Sequence, residues 1–251
     1  MTHTTAHDRL YAAMNAVNEG RFEEALREFV WFHDHALEEQ PSLAGLRLSY
    51  ALAFWMSLAE VYPEARQALE EIRDRKAGFL SNGNAKRAFF HDVAAINEKL
   101  NSETDTYLLF AKLAQSNPSF AQQCADAALP ALIGAGDFAL AERFLPDLDR
   151  ELDSLSRHLN GSLQRRKGSK YSPAPRIKAE IHIYATRVKQ LVAVLSGCGR
   201  RADAARIKAL ACAMIQAPSV RRAVREALEP NPKAWYERGS RPKKRARPTV
   251  N

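Results

Sequence analysis

The sequence predicts an all-α protein, and three observations carry that prediction. Apolar residues recur at three- and four-residue steps through most of the chain, β-branched residues are scarce, and the breaks between apolar stripes are short and polar. Phe22, Ala25, Leu26, Phe29, His33, Ala36 and Leu37 keep the helical step, with Glu23, Glu24, Arg27 and Glu28 filling the gaps, so an amphipathic helix is expected. Leu46–Ala59 interrupts its apolar residues only with Arg47, Ser49, Tyr50 and Ser57 and reads as a central helix, covered on most sides. Further stripes follow at Ala65, Leu69 and Ile72, at Phe89, Val93, Ile96 and Leu100, and at Leu108, Ala111, Leu113 and Ala114, the last closed by Asn117-Pro118. From Ser119 to Asn160 there is no Val or Thr, and Ile133 is the only Ile. The helical step resumes at Ile177, Ile181, Tyr184, Val188, Leu191, Val192 and Leu195, then through Ala204–Ile215 and Val220–Leu228. About ten helices are expected in all.

Composition narrows the class. The chain has 251 residues, 46% hydrophobic and 26% charged, with a mean hydropathy of −0.38, which is the make-up of a folded globular protein. Uncharged stretches such as Leu48–Ala59 and Ala209–Val220 run to 12 residues, short of the ~18 a membrane span needs, so no membrane partner is expected. Met1–Asp8 has neither a basic nor an apolar leader region, and the expected compartment is the cytoplasm. Cys124, Cys198 and Cys212 are odd in number and far apart, which points to reduced thiols rather than a disulfide frame or a zinc cage.

Charge divides the chain. Residues 1–160 hold 15 Lys and Arg against 24 Asp and Glu, a net −9, whereas residues 161–251 hold 22 against 5, a net +17. Between Asn160 and Lys178 the chain is basic and rich in helix breakers, with Gly161, Arg165, Arg166, Lys167, Gly168, Lys170, Pro173 and Pro175. Four parts are expected: an acidic helical domain (1–160), a basic linker or exposed loop (161–176), a basic helical hairpin (177–229) and a disordered basic tail (230–251).

The breaks between helices repeat one design. Gly20-Arg21-Phe22-Glu23-Glu24-Ala25, Glu60-Val61-Tyr62-Pro63-Glu64-Ala65, Gly136-Asp137-Phe138-Ala139-Leu140-Ala141 and Gly199-Arg200-Arg201-Ala202-Asp203-Ala204-Ala205 each pair a turn with a small residue one turn into the next helix. A glycine there stops the first helix in the left-handed conformation, and the alanine lets two antiparallel helices approach. The pattern resembles the turn between the two helices of a tetratricopeptide repeat. With Ala25, Ala65, Ala141 and Ala205 equivalent, the spacings are 40, 76 and 64 residues rather than multiples of 34, so the array is irregular. Phe32 also stands where the family prefers Ala, and the family's Trp-Leu-Gly opening is missing. The span 19–100, with Trp31-Phe32-His33-Asp34-His35-Ala36-Leu37, is similar to a group of uncharacterised bacterial repeat proteins; that likeness implies no activity. The resemblance implies an irregular tetratricopeptide-like array of antiparallel hairpins that binds a peptide or partner protein on its concave side. By position, Leu10 and Met14 from the first unit and Arg47, Tyr50 and Phe54 from the second would line that groove. Arg47 would meet a carboxylate and the two aromatics apolar groups, unless they pack on the next unit.

Catalytic chemistry finds little support. Gly134-Ala135-Gly136-Asp137-Phe138-Ala139 fits the G-x-G-x-x-A spacing of dinucleotide-binding folds, but a helix-favouring stretch precedes it where a strand is required, so it reads as a hairpin turn and no cofactor is expected. His33, Asp34 and His35, with His91-Asp92 approaching from another helix, form the one cluster of titratable groups. Residues two apart on a helix point ~200° apart, so His33 and His35 cannot share an ion. His35 and Glu39, four apart, offer two ligands and the sequence names no third. Buried histidines tying helices together are the expectation, with no metal and no enzyme. The basic run with Arg241, Lys243, Lys244, Arg245 and Arg247 has three readings: a solvated tail, nucleic-acid contact, or docking on the acidic part of the chain. It also has the form of a short nuclear-localisation signal.

Overall fold

The computed structural model describes residues 5–164 and 174–229. Among these there are twelve helices and no strand, the all-α architecture that the periodicity predicts. The described residues form two compact units, divided between Phe144 and Leu145.

Unit 1 contains α1 (Ala6–Asn18), α2 (Phe22–Glu39), α3 (41–59), α4 (Pro63–Ser81), α5 (Arg87–Leu100), α6 (Glu103–Ser116), α7 (Pro118–Ala135) and the short α8 (Phe138–Arg143). Neighbouring helices pack as antiparallel pairs, and α3 stacks on α5, α5 on α7 and α4 on α6. The odd-numbered helices from α3 to α7 therefore share one layer. Helix ends follow local chemistry. Thr5 and Asp8 form a capping box at the start of α1, and the Asn117 and Asp137 side chains accept from the amides of Phe120 and Leu140 to start α7 and α8. Gly20 and Gly136 end α1 and α7 at φ of +75° and +73°, as does Gly199 in unit 2, so the G-x-G-x-x-A segment is a hairpin turn. Ala25, Ala65 and Ala141 are fully packed one turn later. In the last such turn the packed residue is Ala204, five positions after the glycine as in the turns at Gly20 and Gly136; Ala205, the expected equivalent, is one position further on and exposed.

The core of α1–α5 is built from Phe29, Phe32, Trp55, Leu58, Leu69 and Ile96, with the Trp55 indole donating to the Ala65 carbonyl at 2.8 Å. Three expectations change. Helix α3 is not covered on most sides: Leu52, Trp55 and Leu58 face inward while Tyr50, Ala53 and Ser57 are exposed. In α5 the core residue is Phe90, and Phe89 lies outside the core beside Phe79 and under Lys86. In α6 Leu108 is exposed, and the position toward α5 is taken by Thr106, buried because Asn97 donates to its hydroxyl at 3.0 Å.

Unit 2 contains α9 (Leu148–Gln164), α10 (Ala174–Gly197), α11 (Arg201–Ala213) and α12 (Pro218–Leu228). Leu152 and Leu159 of α9 pack with Tyr184, Val188, Leu191, Ile207 and Val224. The boundary falls at 144/145 rather than at 160, since the apolar stripe of α9 finds its partner in α10–α12, and residues 161–164 complete α9. Residues 165–173 and the expected tail 230–251 lie outside the described residues. No described helix is long and apolar enough to cross a membrane.

Candidate functional site

The residues singled out by the sequence do not come together in one place. His33 sits on the inner face of α2, 3% exposed, and meets Arg47 from α3, Lys76 from α4 and Asp92 from α5. Both cations bond the Asp92 carboxylate. Arg47 Nη1 also reaches the His33 carbonyl at 3.1 Å and its Nε2 at 3.1 Å, and Lys76 Nζ reaches the same Nε2 at 3.0 Å. Ammonium and guanidinium groups only donate, so the ring accepts and is neutral. Burial, reinforced by Lys76 and Arg47, pushes the His33 pKa down to about 3. Burial alone would raise Asp92, but Arg47 and Lys76 together hold it below the usual carboxylate range. The quartet joins four helices and carries a net +1 inside the core, with Arg47 Nε buried and without a hydrogen-bond partner.

Arg47 is thus withdrawn from the expected groove. Residues Arg47–Ala51 form a π-helical turn inside α3, and its wider winding rotates Arg47 inward while Tyr50 stays exposed. The other groove candidates also divide. Leu10 is buried and Met14 partly so, both against the core, with Tyr11 taking the exposed position on α1. Tyr50 and Phe54 do meet, ring centroids 4.7 Å apart, with Tyr50 exposed and Phe54 partly buried against the core. The five residues do not form one surface.

His35 is exposed and pairs with Glu38 at 3.2 Å; Glu39, its expected partner, instead accepts from the Ala6 amide at the start of α1. His91 is turned away from His33, because adjacent residues on α5 point to different neighbours. Its Nε2 lies 3.7 Å from Asp126 of α7, and burial lowers its pKa. Among the described residues no group of His, Cys, Asp and Glu is placed to hold a metal ion. The three described cysteines are free, and burial pushes the Cys124 thiol up to about 12, so it stays protonated.

His91 opens onto the feature that sequence reasoning missed, a cleft of about 580 Å³ in the layer of odd-numbered helices. Leu48 closes it from the π turn of α3, Ala94, Ala95 and Glu98 from α5, Glu103 and Thr104 from the start of α6, and Asp126, Ala127, Pro130, Ala131 and Gly134 from α7. Small side chains on the facing helices leave the space. Pro130 lies inside α7 and brings no N–H for the carbonyl of Asp126, so that acceptor loses its ordinary helical partner beside the cleft. Arg87 binds the Asp126 carboxylate at 2.9 Å and the Gln123 carbonyl at 2.8 Å. The signal available in sequence was the interior proline with Ala127 three residues before it and Gly134 four residues after it.

These sites define an all-α protein with a sealed charged core and an open cleft in its first unit. No family model, no curated protein and no solved structure matches this chain.

Proposed function

We propose that the chain is a non-catalytic docking protein of the cytoplasm, in which unit 1 binds a segment of another protein in a tetratricopeptide-like manner. The single observation that carries this reading is the position of the cleft. It lies on the stacked helices α3, α5 and α7, one continuous layer of unit 1, and its apolar floor of small residues lets a partner backbone come close. The quartet of His33, Arg47, Lys76 and Asp92 is closed to solvent and serves to fix the register of the helices that build this layer. The test is a pull-down with the full chain and with Gly134→Leu, before and after nuclease. Proteins retained after nuclease and lost with Gly134→Leu support docking in the cleft; retention that depends on nucleic acid overturns it.

A second reading, association with nucleic acid through the basic half, has its own support. Lys189, Arg201, Arg222 and Arg225 of unit 2 are exposed and make no ion pair among the described residues. The candidates Arg241, Lys243, Lys244, Arg245 and Arg247 lie outside the described residues. Under this reading the affinity for random-sequence duplex DNA falls with log salt by ~0.9 per phosphate neutralised, and Arg222→Ala with Arg225→Ala lowers that slope. An anisotropy titration showing no binding at ~50 mM salt removes it.

A further inference from the structure

We infer that the α5–α7 cleft takes a cationic segment of the partner, seating a Lys or Arg side chain against the carboxylates at its rim; the inference rests on the docking role proposed for unit 1. The polar groups that face the cleft are unbalanced. Glu98, Glu103 and Asp126 bring carboxylates, and no Lys or Arg is among the lining residues. The nearby cations are already engaged: Arg87 holds Asp126 and the Gln123 carbonyl, and Lys99 lies 3.2 Å from Glu98. Glu103 makes no ion pair among the described residues. His91 contributes no competing charge, since burial keeps its ring neutral near pH 7, and its Nε2 is buried without a hydrogen-bond partner. With Asp126 paired to Arg87 and Glu98 to Lys99, the unpaired Glu103 leaves the rim net negative, so a donor with a positive charge is drawn there whereas an acidic segment would meet like charge.

The floor selects how that cation arrives. Ala94, Ala127, Ala131 and Gly134 present no side chain beyond Cβ, so a peptide backbone can lie between the helices while its long basic side chain reaches the rim. At about 580 Å³ the space exceeds one side chain and suits a short segment. Interactions of this kind weaken with salt, because the rim carboxylates are exposed.

The test is a selection from a random dodecapeptide phage library on the full-length protein, with the enriched peptides synthesised and titrated by anisotropy from ~50 to ~200 mM salt. Two variants control for the site. Glu98→Lys reverses a charge at an exposed position, and Gly134→Leu fills the cleft from a point where a Cβ would meet no heavy atom within 4 Å, so both keep the fold. The expected result is enrichment of Lys- and Arg-rich peptides whose affinity drops about tenfold or more in each variant, equivalent to 1.4 kcal/mol. Enriched peptides without cationic excess that are still lost in Gly134→Leu overturn the cationic partner and leave docking in the cleft standing. Cationic binders indifferent to Gly134→Leu overturn the site. A selection that yields no binder overturns the inference and the docking role together.

Discussion

The cores of the two units handle buried polarity in opposite ways. Unit 1 buries charge: Arg47, Lys76 and Asp92 surround a neutral His33, and each depends on the others. Unit 2 buries neutral groups, with the Tyr184 hydroxyl donating to the Ala211 carbonyl at 2.8 Å, and Asn160 bonding the Met214 carbonyl at 2.9 Å and the Gln216 amide at 3.0 Å. Hydrogen bonds of the second kind are local and independent of pH, and they staple a loop or a helix end. The ionic quartet spans four helices and works only while three charges and one proton stay in place. The same helical pairing can thus be fixed tolerantly or conditionally, and the conditional version lies in the unit that carries the cleft.

The largest expected effect breaks the quartet. Asp92→Ala leaves Arg47 and Lys76 buried without their anion and should destabilise unit 1 by about 3–5 kcal/mol. Hydrogen exchange should show lost protection in α2 to α5 while α10 to α12 keep theirs; equal loss in both units would mean that the quartet is not local to unit 1.

Acid should separate the units next. A folded-state pKa of about 3 for His33 lies below the ordinary value near 6.5, so its contribution is complete above about pH 6.5 and lost as pH falls toward about 3. The depressed Asp92 adds loss in the same direction at lower pH. Linkage gives a destabilisation on the order of 3 kcal/mol between about pH 7 and pH 4. Fluorescence of the buried Trp55 follows unit 1, and His33→Gln should flatten the slope. An unchanged slope would remove His33 as its source.

A smaller change probes unit 2. Tyr184→Phe removes the bond to Ala211 and should cost about 1–2 kcal/mol, with no difference between pH 7 and pH 5. A marked pH dependence would contradict the neutral design of that core.

The smallest effect concerns two glycines at the end of α7. Gly134 is helical with open space where a Cβ would go, and Gly136 sits at φ +73°. Gly134→Ala should stabilise by about 0.5 kcal/mol and Gly136→Ala destabilise by about 1 kcal/mol, read as opposite shifts in Tm. The same sign for both would mean that α7 ends elsewhere.

Much of this was legible before any coordinates. The stripe of α2 placed His33 on the core side by its spacing from Phe29 and Ala36, and the turns at Gly20 and Gly136 were marked by glycine followed by a small residue five positions on. Arg47 was misplaced because a π turn changes the number of residues per turn, and nothing in Arg-Leu-Ser-Tyr-Ala announces that winding. Lys76 escaped notice for a related reason: a lysine on an amphipathic helix reads as solvated until an anion is found inside, and Asp92 comes from sixteen residues away on another helix. The cleft was hidden in the alanines, which read equally well as close packing.

By itself, then, the sequence determined the helical class, most helix positions, the turn chemistry and the division of charge, since each follows from spacing or residue type within a few neighbouring positions. Only the tertiary structure decided that Asp92 rather than His91 meets His33, that α9 joins the second unit, and that the small residues of α5 and α7 stand apart around a cleft. Those outcomes depend on which faces of distant helices meet, and a face's own periodicity carries no information about its partner.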